Sequence, residues 1–296
     1  MANIDVVIVS YNSRDQLRNC VAPLSELDNV RVIVVDNASR DDSLDVVSDL
    51  PVRTLALEHN GGFAHGCNAG WRVSDGEYVF FLNPDARISH ESLNVLVTVL
   101  DDSSDVGGVA PLIRHDDGSL EFSQRRYPRL RSTYAQAVFL HRVFPTASST
   151  DELVRDIVAY ERVGSPDWVS GAAIMVRRSV LEQLDGFDEG FFMYCEDIDL
   201  CKRLRAAGHD LRFEPAATVT HVGGASAPRA SLLPVLAASR IRYAAKHRSR
   251  AFALLERAGI ALGALTHMAV SKGGRAARAG HARSLRLALS RPVDAS

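Results

Sequence analysis

Residues 4–37 read IDVVIVSYNSRDQLRNCVAPLSELDNVRVIVVDN, and this stretch decides the fold. Ile4–Ser10 is a run of apolar, mostly β-branched residues without polar alternation, the pattern of a strand buried on both faces. Val30–Val35 repeats the pattern. Between them Leu17, Cys20, Val21 and Leu24 recur at helical spacing behind Ser13, a residue type that caps helix starts. Two buried strands joined through a helix make a parallel crossover unit.

The alternation continues outward. Asp41 and Asp42 read as the start of a second helix carrying Leu44, Val46 and Val47, and Val52–Leu57 as a third strand. A helix with small residues follows (Gly66, Asn68, Ala69, Gly70), then a fourth strand, Tyr78–Leu82, and a helix over Ser89–Leu100. The order predicts an α/β fold with a doubly wound, mostly parallel central sheet flanked by helices. Val106–Leu112, Ile174–Arg177, Leu211–Phe213 and Ala217–His221 read as further strands, and residues 141–165 as a loop-and-helix insert. Each of the first four strands ends in polar or glycine residues: Tyr11-Asn12-Ser13, Asp36-Asn37-Ala38-Ser39, Asn60-Gly61-Gly62 and Asn83-Pro84-Asp85. Such residues are ordinary turn formers. Ligands in open α/β sheets nevertheless bind beyond the carboxyl ends of strands, and four such ends within 85 residues point to one pocket.

At 296 residues and 46% hydrophobic, the chain can bury a full core and carry an appendage. Its net charge of −2 is unevenly spread. From Arg229 onward there are 13 Lys/Arg against 2 Asp/Glu, or +11, which leaves −13 on the remainder. An acidic body with a basic tail predicts that the tail meets something anionic. The expected division is 1–228 as the α/β domain and 229–296 as a basic helical extension. Ala230–Ser290 reads as helical throughout, with leucines interleaved among the arginines, a pattern that favours an anionic membrane surface. Packing on the chain's own acidic surface is the alternative. Ala251–Val270 is the most apolar later stretch, but Glu256, Arg257 and His267 make it a poor membrane-spanning helix. The four cysteines lack CxxC spacing and read as reduced thiols of a cytosolic protein. The first residues lead straight into a strand and do not have the form of a secretory signal.

Neither GxGxxG nor GxxxxGK[ST] occurs, which removes most support for dinucleotide binding and P-loop chemistry. Asp36 is placed to hydrogen-bond a base or ribose. Asn60-Gly61-Gly62 would bring backbone N–H groups and a helix start close to a ligand. Asp85 is a candidate oxygen ligand for Mg²⁺ or Mn²⁺, with Asn83 as a weaker neighbour. His221, at a strand end beside Gly223-Gly224, is either structural or a further metal ligand. Arg125, Arg126, Arg129 and Arg131 form a basic cluster that is either solvated surface or an anion site. Trp168, next to Ser170-Gly171, is either core or the floor of a sugar subsite. Within GFDEGFFMYCEDIDLCKRLRAAG (186–208), the acids Glu196, Asp197 and Asp199 open a helix with Ile198, Cys201 and Leu204 on one face. They are helix caps or catalytic acids, and Phe191, Phe192 and Tyr194 beside them are candidate acceptor-side walls.

The series VVIVSYNS, VIVVDNAS, NGGFAHGCNAG, FFLNPDA, WVSGAAIMVRR, GFDEGFFMYCEDIDLCKRL and THVGG resembles inverting family-2 glycosyltransferases of the GT-A fold, in particular the bacterial rhamnosyltransferase-like branch that builds cell-wall or surface glycans. The resemblance covers roughly residues 3–225. It implies a Rossmann-like GT-A fold and a metal-dependent transferase acting on a nucleotide sugar and a glycan or lipid-linked acceptor. It further implies that Tyr11 and Asp36 contact base and ribose, that Asn60 and its glycines seat the nucleotide, and that Asp85 and His221 bind Mg²⁺ or Mn²⁺. Asp197 would be the general base, and Glu196 would orient the base or an acceptor hydroxyl. Asn83 departs from the Asp that many relatives carry, though this branch commonly has Asn. A dTDP-linked deoxysugar such as rhamnose is the implied donor, with UDP-sugars open. The tail adds an expected peripheral position on the inner face of the plasma membrane.

Three alternatives compete. A nucleotidyltransferase would need a glycine-rich loop with a basic residue after the first strand, where Tyr11-Asn12-Ser13-Arg14 stands. A catalytically inactive sugar-nucleotide-binding scaffold is permitted by Asn83, and the intact Glu196-Asp197 pair argues against it. Nucleic-acid binding through the tail is the third, and is not expected.

Overall fold

The computed structural model describes residues 3–145, 147–223, 229–270 and 274–290. Its strands are β1 (Ile4–Ser10), β2 (Val30–Asp36), β3 (Arg53–Ala56), β4 (Tyr78–Leu82), β5 (Ala86–Ile88), β6 (Val106–Arg114), β7 (Gln124–Arg125), β8 (Trp168–Val169), β9 (Ala173–Arg177) and β10 (Asp210–His221). Its helices are α1 (Arg14–Ser25), α2 (Phe63–Arg72), α3 (His90–Asp102), α4 (Leu130–Ala137), α5 (Leu140–Val143), α6 (Arg178–Leu184), α7 (Glu196–Ala206), α8 (Arg229–His247), α9 (Arg250–Val270) and α10 (Gly274–Leu289).

Eight strands form one sheet in the order β3-β2-β1-β4-β9-β6-β10-β5, and β7 pairs with β8 separately. Four of its seven neighbour pairs are parallel, while β9 runs antiparallel to β4 and β6, and β5 antiparallel to β10. The expected α/β architecture is present, with β9 and β5 making the sheet mixed. The chain reverses its direction of sheet growth between β1 and β4, the kind of switch point where strand ends leave a crevice.

β1 is buried along its whole length, as its unbroken apolar run requires. Asp5 within it is fully buried and satisfied: its carboxylate accepts from Arg31 at 2.7 and 2.9 Å and from the amides of Asp75 and Gly76. α2 approaches β1 closely through its glycines. A Cβ on Gly70 would stand 2.3 Å from a methyl of Val7, and one on Gly66 2.6 Å from a methyl of Val9.

Three local expectations are corrected. No α-helix follows Asp41; only a short 3-10 turn forms, at Asp45–Val47. Asp41 instead binds the amide of Arg14, and Ser43 accepts from the amide of Ser13, so this loop ties the start of α1. Residues 211–221 form one strand with a register irregularity between Glu214 and Thr218, where Pro215 cannot donate to the ladder. The C-terminal region is three helices, interrupted at 248–249, with 271–273 outside the described residues.

The chain divides into two compact units: residues 1–126, 154–192 and 196–226 in the first, and 127–153, 193–195 and 227–296 in the second. A boundary at 228/229 leaves 127–153 and 193–195 with the first unit, whereas they pack with the C-terminal helices; residues 224–228 lie outside the described residues. In the second unit α4 lies along α9, with Gly259 against Thr133 and Tyr134, and Thr266 donating to the Ala137 carbonyl at 2.6 Å. Arg240 is enclosed by Glu152 at 2.8 Å and Glu256 at 3.0 Å. Among the described residues α9 alone is long and apolar enough to cross a membrane, by length and composition only.

The α2–β1 contact yields the first prediction. Gly70→Val forces a side chain into the space of Val7 and costs about 1–3 kcal/mol, seen as a lower urea midpoint with an unchanged slope. An unchanged midpoint would contradict the close approach.

Candidate active site

Register brings the chemistry to one edge of the first unit's sheet. Ser10 pairs with Asp36, and Ile8 with Leu82, so β1, β2 and β4 end side by side. β9 runs the other way, with Ala173 opposite Leu82, and the Asn83 amide donates to the Ala172 carbonyl at 2.9 Å. Gly171 therefore begins where β4 stops. His221 pairs with Ala86 at the end of β10 and meets the same turn.

At that turn the Nε2 of His221 lies 3.2 Å from Asp85 Oδ1 and 3.2 Å from Asn83 Nδ2. Asp85 Oδ2 accepts from the amide of Gly223 at 3.1 Å; Gly224 lies outside the described residues. Burial disfavours the imidazolium of His221, but hydrogen bonds and charge from Asp85 and Glu121 outweigh it and hold the pKa at about 9. Burial likewise raises Asp85, and the contacts with His221 and the Gly223 amide bring it below the ordinary carboxylate value. Two ligand atoms 3.2 Å apart suit adjacent positions on one cation, since metal–ligand bonds of about 2.1 Å at right angles separate ligands by about 3 Å. Asp85 and His221 thus fit a hard divalent ion that takes its other ligands from outside the chain. Among the described residues no group of three or more His, Cys, Asp or Glu side chains forms a metal site.

Asp36 ends β2, which lies two strands from β4 in the sheet. Its Oδ2 accepts from the Ser39 amide at 3.0 Å, and its buried Oδ1 has no partner among the described residues. Among the described residues Ser10 Oγ and Glu196 Oε2 are likewise buried without hydrogen bonds. Buried polar atoms are rarely left so, and Ser10 and Asp36 stand side by side at the ends of β1 and β2. Tyr11 is half-buried beyond β1. Asn12 and Ala38 adopt left-handed backbone conformations, φ 53° and 59°, and Asn12 exchanges hydrogen bonds with Ser39 and Arg40.

The Asn60-Gly61-Gly62 loop departs from expectation. Gly61 N–H donates to Asn37 Oδ1, Gly62 N–H to Asn60 Oδ1, and Phe63 N–H to the Phe192 carbonyl. All three amides are used inside the protein, so the loop offers them to no ligand, and the side-chain oxygen of Asn60 is turned inward. Asn37, with Nδ2 bonded to both Asn60 and Gly62, organises this loop; in the sequence it is indistinguishable from the turn residues around it. The glycines serve a close approach: a Cβ on Gly62 would collide with the backbone of Phe192.

That approach seats the segment before α7. Asn68 binds both the amide and the carbonyl of Phe187, and Glu189 is held by His65, Asn68 and Arg72. At the start of α7, Asp197 is half-buried; its Oδ2 accepts from Gly171 N–H at 3.2 Å and its Oδ1 from Ile198 N–H at 2.8 Å. It therefore caps its helix with one oxygen and faces β9 with the other. Burial raises its pKa, and the Gly171 and Ile198 amides and the Arg125 charge draw it down. Glu196 is driven well above the ordinary range by burial and then by Asp197. Asp199 is fully buried, with Arg203 at 2.6 Å.

The acceptor-side candidates separate. Arg125 lies over the Trp168 ring at 5.3 Å, across the β7–β8 pair, and its charge reaches Asp197. Trp168 is buried, its indole N–H donating to the Arg126 carbonyl, so it supports Arg125 and exposes little face to a sugar. Phe191 is 0% exposed and is core, not a wall, whereas Phe192 is 42% exposed. Tyr194 belongs to the second unit; it and Cys195 take consecutive left-handed conformations, φ 69° and 66°.

Solved structures of this architecture place the fold in the GT-A class of glycosyltransferases. A mannosyltransferase from Pyrobaculum calidifontis, solved with GDP-Man and Mn²⁺, superposes with a TM-score of 0.58 at 20% identity, covering 98% of this chain and 81% of that one. S. aureus TarS in complex with UDP-GlcNAc superposes at 0.55 and 16% identity, covering 96% and 89%. The chain belongs to glycosyl transferase family 2, whose profile matches residues 5–158. It is similar to rhamnosyltransferase WbbL of Escherichia coli, 30% identical over 73% of this chain and 82% of the relative. It is also similar to the N-acetylglucosaminyl-diphospho-decaprenol L-rhamnosyltransferase of Mycobacterium tuberculosis, 33% identical over 74% and 75%.

Removal of the loop organiser tests this geometry. Asn37→Ala strands the Gly61 amide and is expected to cost about 1–3 kcal/mol in urea unfolding. Asp36→Asn, which keeps an oxygen for Ser39 N–H, should leave the midpoint near wild type. Equal midpoints for wild type and Asn37→Ala would refute the assignment.

Proposed function

We propose that this enzyme transfers a deoxyhexose, with L-rhamnose from a dTDP-linked donor as the candidate, to a hydroxyl of a glycan or lipid-linked acceptor, inverting the anomeric carbon, in cell-wall or surface polysaccharide synthesis. The observation that carries the reading is the meeting of the Asp85–His221 pair and the Asp197 carboxylate where β4 ends and β9 begins. The names of the rhamnosyltransferase relatives support the sugar, and the decaprenol in one of them supports a lipid-linked acceptor.

In this reading Asp36 and Tyr11 take the nucleoside. Asp85 and His221 hold Mg²⁺ or Mn²⁺, which when bound neutralises charge on the departing diphosphate. Asp197 accepts the proton of the acceptor hydroxyl as its oxygen bonds to the anomeric carbon and the bond to the diphosphate breaks. Burial and the neighbouring Asp197 charge push Glu196 towards its neutral form, which leaves Asp197 as the acid of the pair that carries the negative charge in this reading.

Asp197→Asn should lower transfer about 10²–10⁴-fold while donor binding persists; full activity would sink the assignment. A screen of purified dTDP- and UDP-sugars tests the donor, with transfer from UDP-sugars alone overturning the dTDP-deoxyhexose reading. The base works only when ionised, so the rate falls as pH drops through its raised pKa. Arg125 lowers that pKa, so Arg125→Gln should move the acid limb of the kcat/KM profile to higher pH; a limb unmoved or shifted downward would exclude Arg125 from the site's electrostatics.

The second unit is the proposed contact with the cytoplasmic face of an anionic membrane. Arg275, Arg278, Arg283 and Arg286 are exposed on α10, and Leu254, Leu265 and Val270 on α9, Val143 and Phe144 around α5 and Leu289 on α10 are exposed apolar residues. Charge reversal of the four arginines should release the protein from phosphatidylglycerol vesicles in co-sedimentation at physiological salt. Unchanged binding would remove the electrostatic part of this proposal.

A further inference from the structure

We propose that Glu121 is the positioning residue of the metal centre: it holds the proton of His221 on Nδ1 and thereby presents Nε2 to the cation. The inference rests on the Asp85–His221 metal reading and goes beyond it, because Glu121 lies in none of the segments that carry the family resemblance.

The backbone delivers Glu121 by a turn that belongs to β6. His115 N–H bonds the Ser119 carbonyl, Gly118 closes the turn at φ 80°, and Arg114 bridges Leu120. The amide of Glu121 then donates to the Ile113 carbonyl at 3.0 Å, which fixes the residue beside the end of β10. Its Oε2 lies 2.8 Å from His221 Nδ1. A carboxylate accepts and cannot donate to nitrogen when ionised, so Nδ1 must carry the hydrogen. On the opposite side Nε2 lies 3.2 Å from Asn83 Nδ2 and 3.2 Å from Asp85 Oδ1. Nε2 therefore faces the turn that bears Asp85, and a cation held there would be met by both side chains. Histidines that bind metals commonly donate their second N–H to a carboxylate, which fixes the ring and raises its basicity. His115 stands nearby, but its Nδ1 meets the backbone carbonyl of His221 at 3.3 Å and lies 4.0 Å from Glu121, so it does not compete for the imidazole. The neighbouring acids therefore divide: Asp85 meets the cation directly, and Glu121 acts through the ring.

The test is Mn²⁺ affinity of the full-length protein, with Mn²⁺ alone as probe, read from the free-ion electron paramagnetic resonance signal. Glu121→Ala should weaken binding about 10–100-fold. Glu121→Gln, whose amide oxygen still accepts from Nδ1, should recover a substantial part of that loss, which a role in packing alone would not produce. In the Mg²⁺-loaded, ¹⁵N-histidine-labelled protein, long-range ¹⁵N–¹H spectra should show His221 protonated at Nδ1 in wild type and redistributed in Glu121→Ala. Wild-type affinity in Glu121→Ala, with affinity lost in His221→Ala, overturns the role of Glu121 and leaves the metal site standing. Absence of Mn²⁺ binding in the wild type, or equal binding in wild type and His221→Ala, overturns the metal reading and this proposal with it.

Discussion

Hydrogen bonding on the two sides of β4 is the constraint on which the candidate site depends. On one side β1 runs parallel to it and carries β2 and β3 beyond, so three strand ends face the same way. On the other side β9 runs antiparallel, which places its first residues, not its last, at that edge. A parallel β9 would have sent Gly171 to the far end of the sheet. The antiparallel choice lets Gly171 N–H hold Asp197 while Asn83 N–H holds Ala172, and so couples the acid pair of α7 to the turn that bears Asp85.

The acids of this edge are chemically alike and differ through their surroundings. Asp85 meets an imidazole and a backbone amide and stays ionised. Glu196 is buried beside another carboxylate and is pushed towards its neutral form. Asp199 and Glu189 are spent on structure, one clamped by Arg203 and the other by His65, Asn68 and Arg72. Pairs of titratable groups driven apart in this way mark acid and base roles. The second unit has its own buried charge cluster, in which Arg240 is shared by Glu152 and Glu256 and Thr133 donates to Glu256. Loss of one partner from such a cluster leaves an uncompensated buried charge, the costly case, so α4, α8 and α9 are fixed to one another.

The GT-A character came from the resemblance that the motifs carry; what the sequence determined residue by residue is the first four strands and their polar ends. These follow from local periodicity: a run such as IDVVIVS has no amphipathic alternative, and Asp-Asn-Ala-Ser or Asn-Pro-Asp cannot continue a buried strand. The opening of α7 was legible for the same reason, with Ile198, Cys201 and Leu204 buried on one face. Only the tertiary structure decided which polar group serves which. The acids at 41–42 looked like a helix start, yet this loop ties α1; the amides of Gly61, Gly62 and Phe63 looked open to a ligand, yet Asn37, Asn60 and Phe192 occupy them. Glu121 stands 100 residues from the histidine it holds. Hydrogen-bond partners at such separations leave no periodic trace in the chain, because they are set by strand register and turn geometry and not by the residues adjacent in sequence.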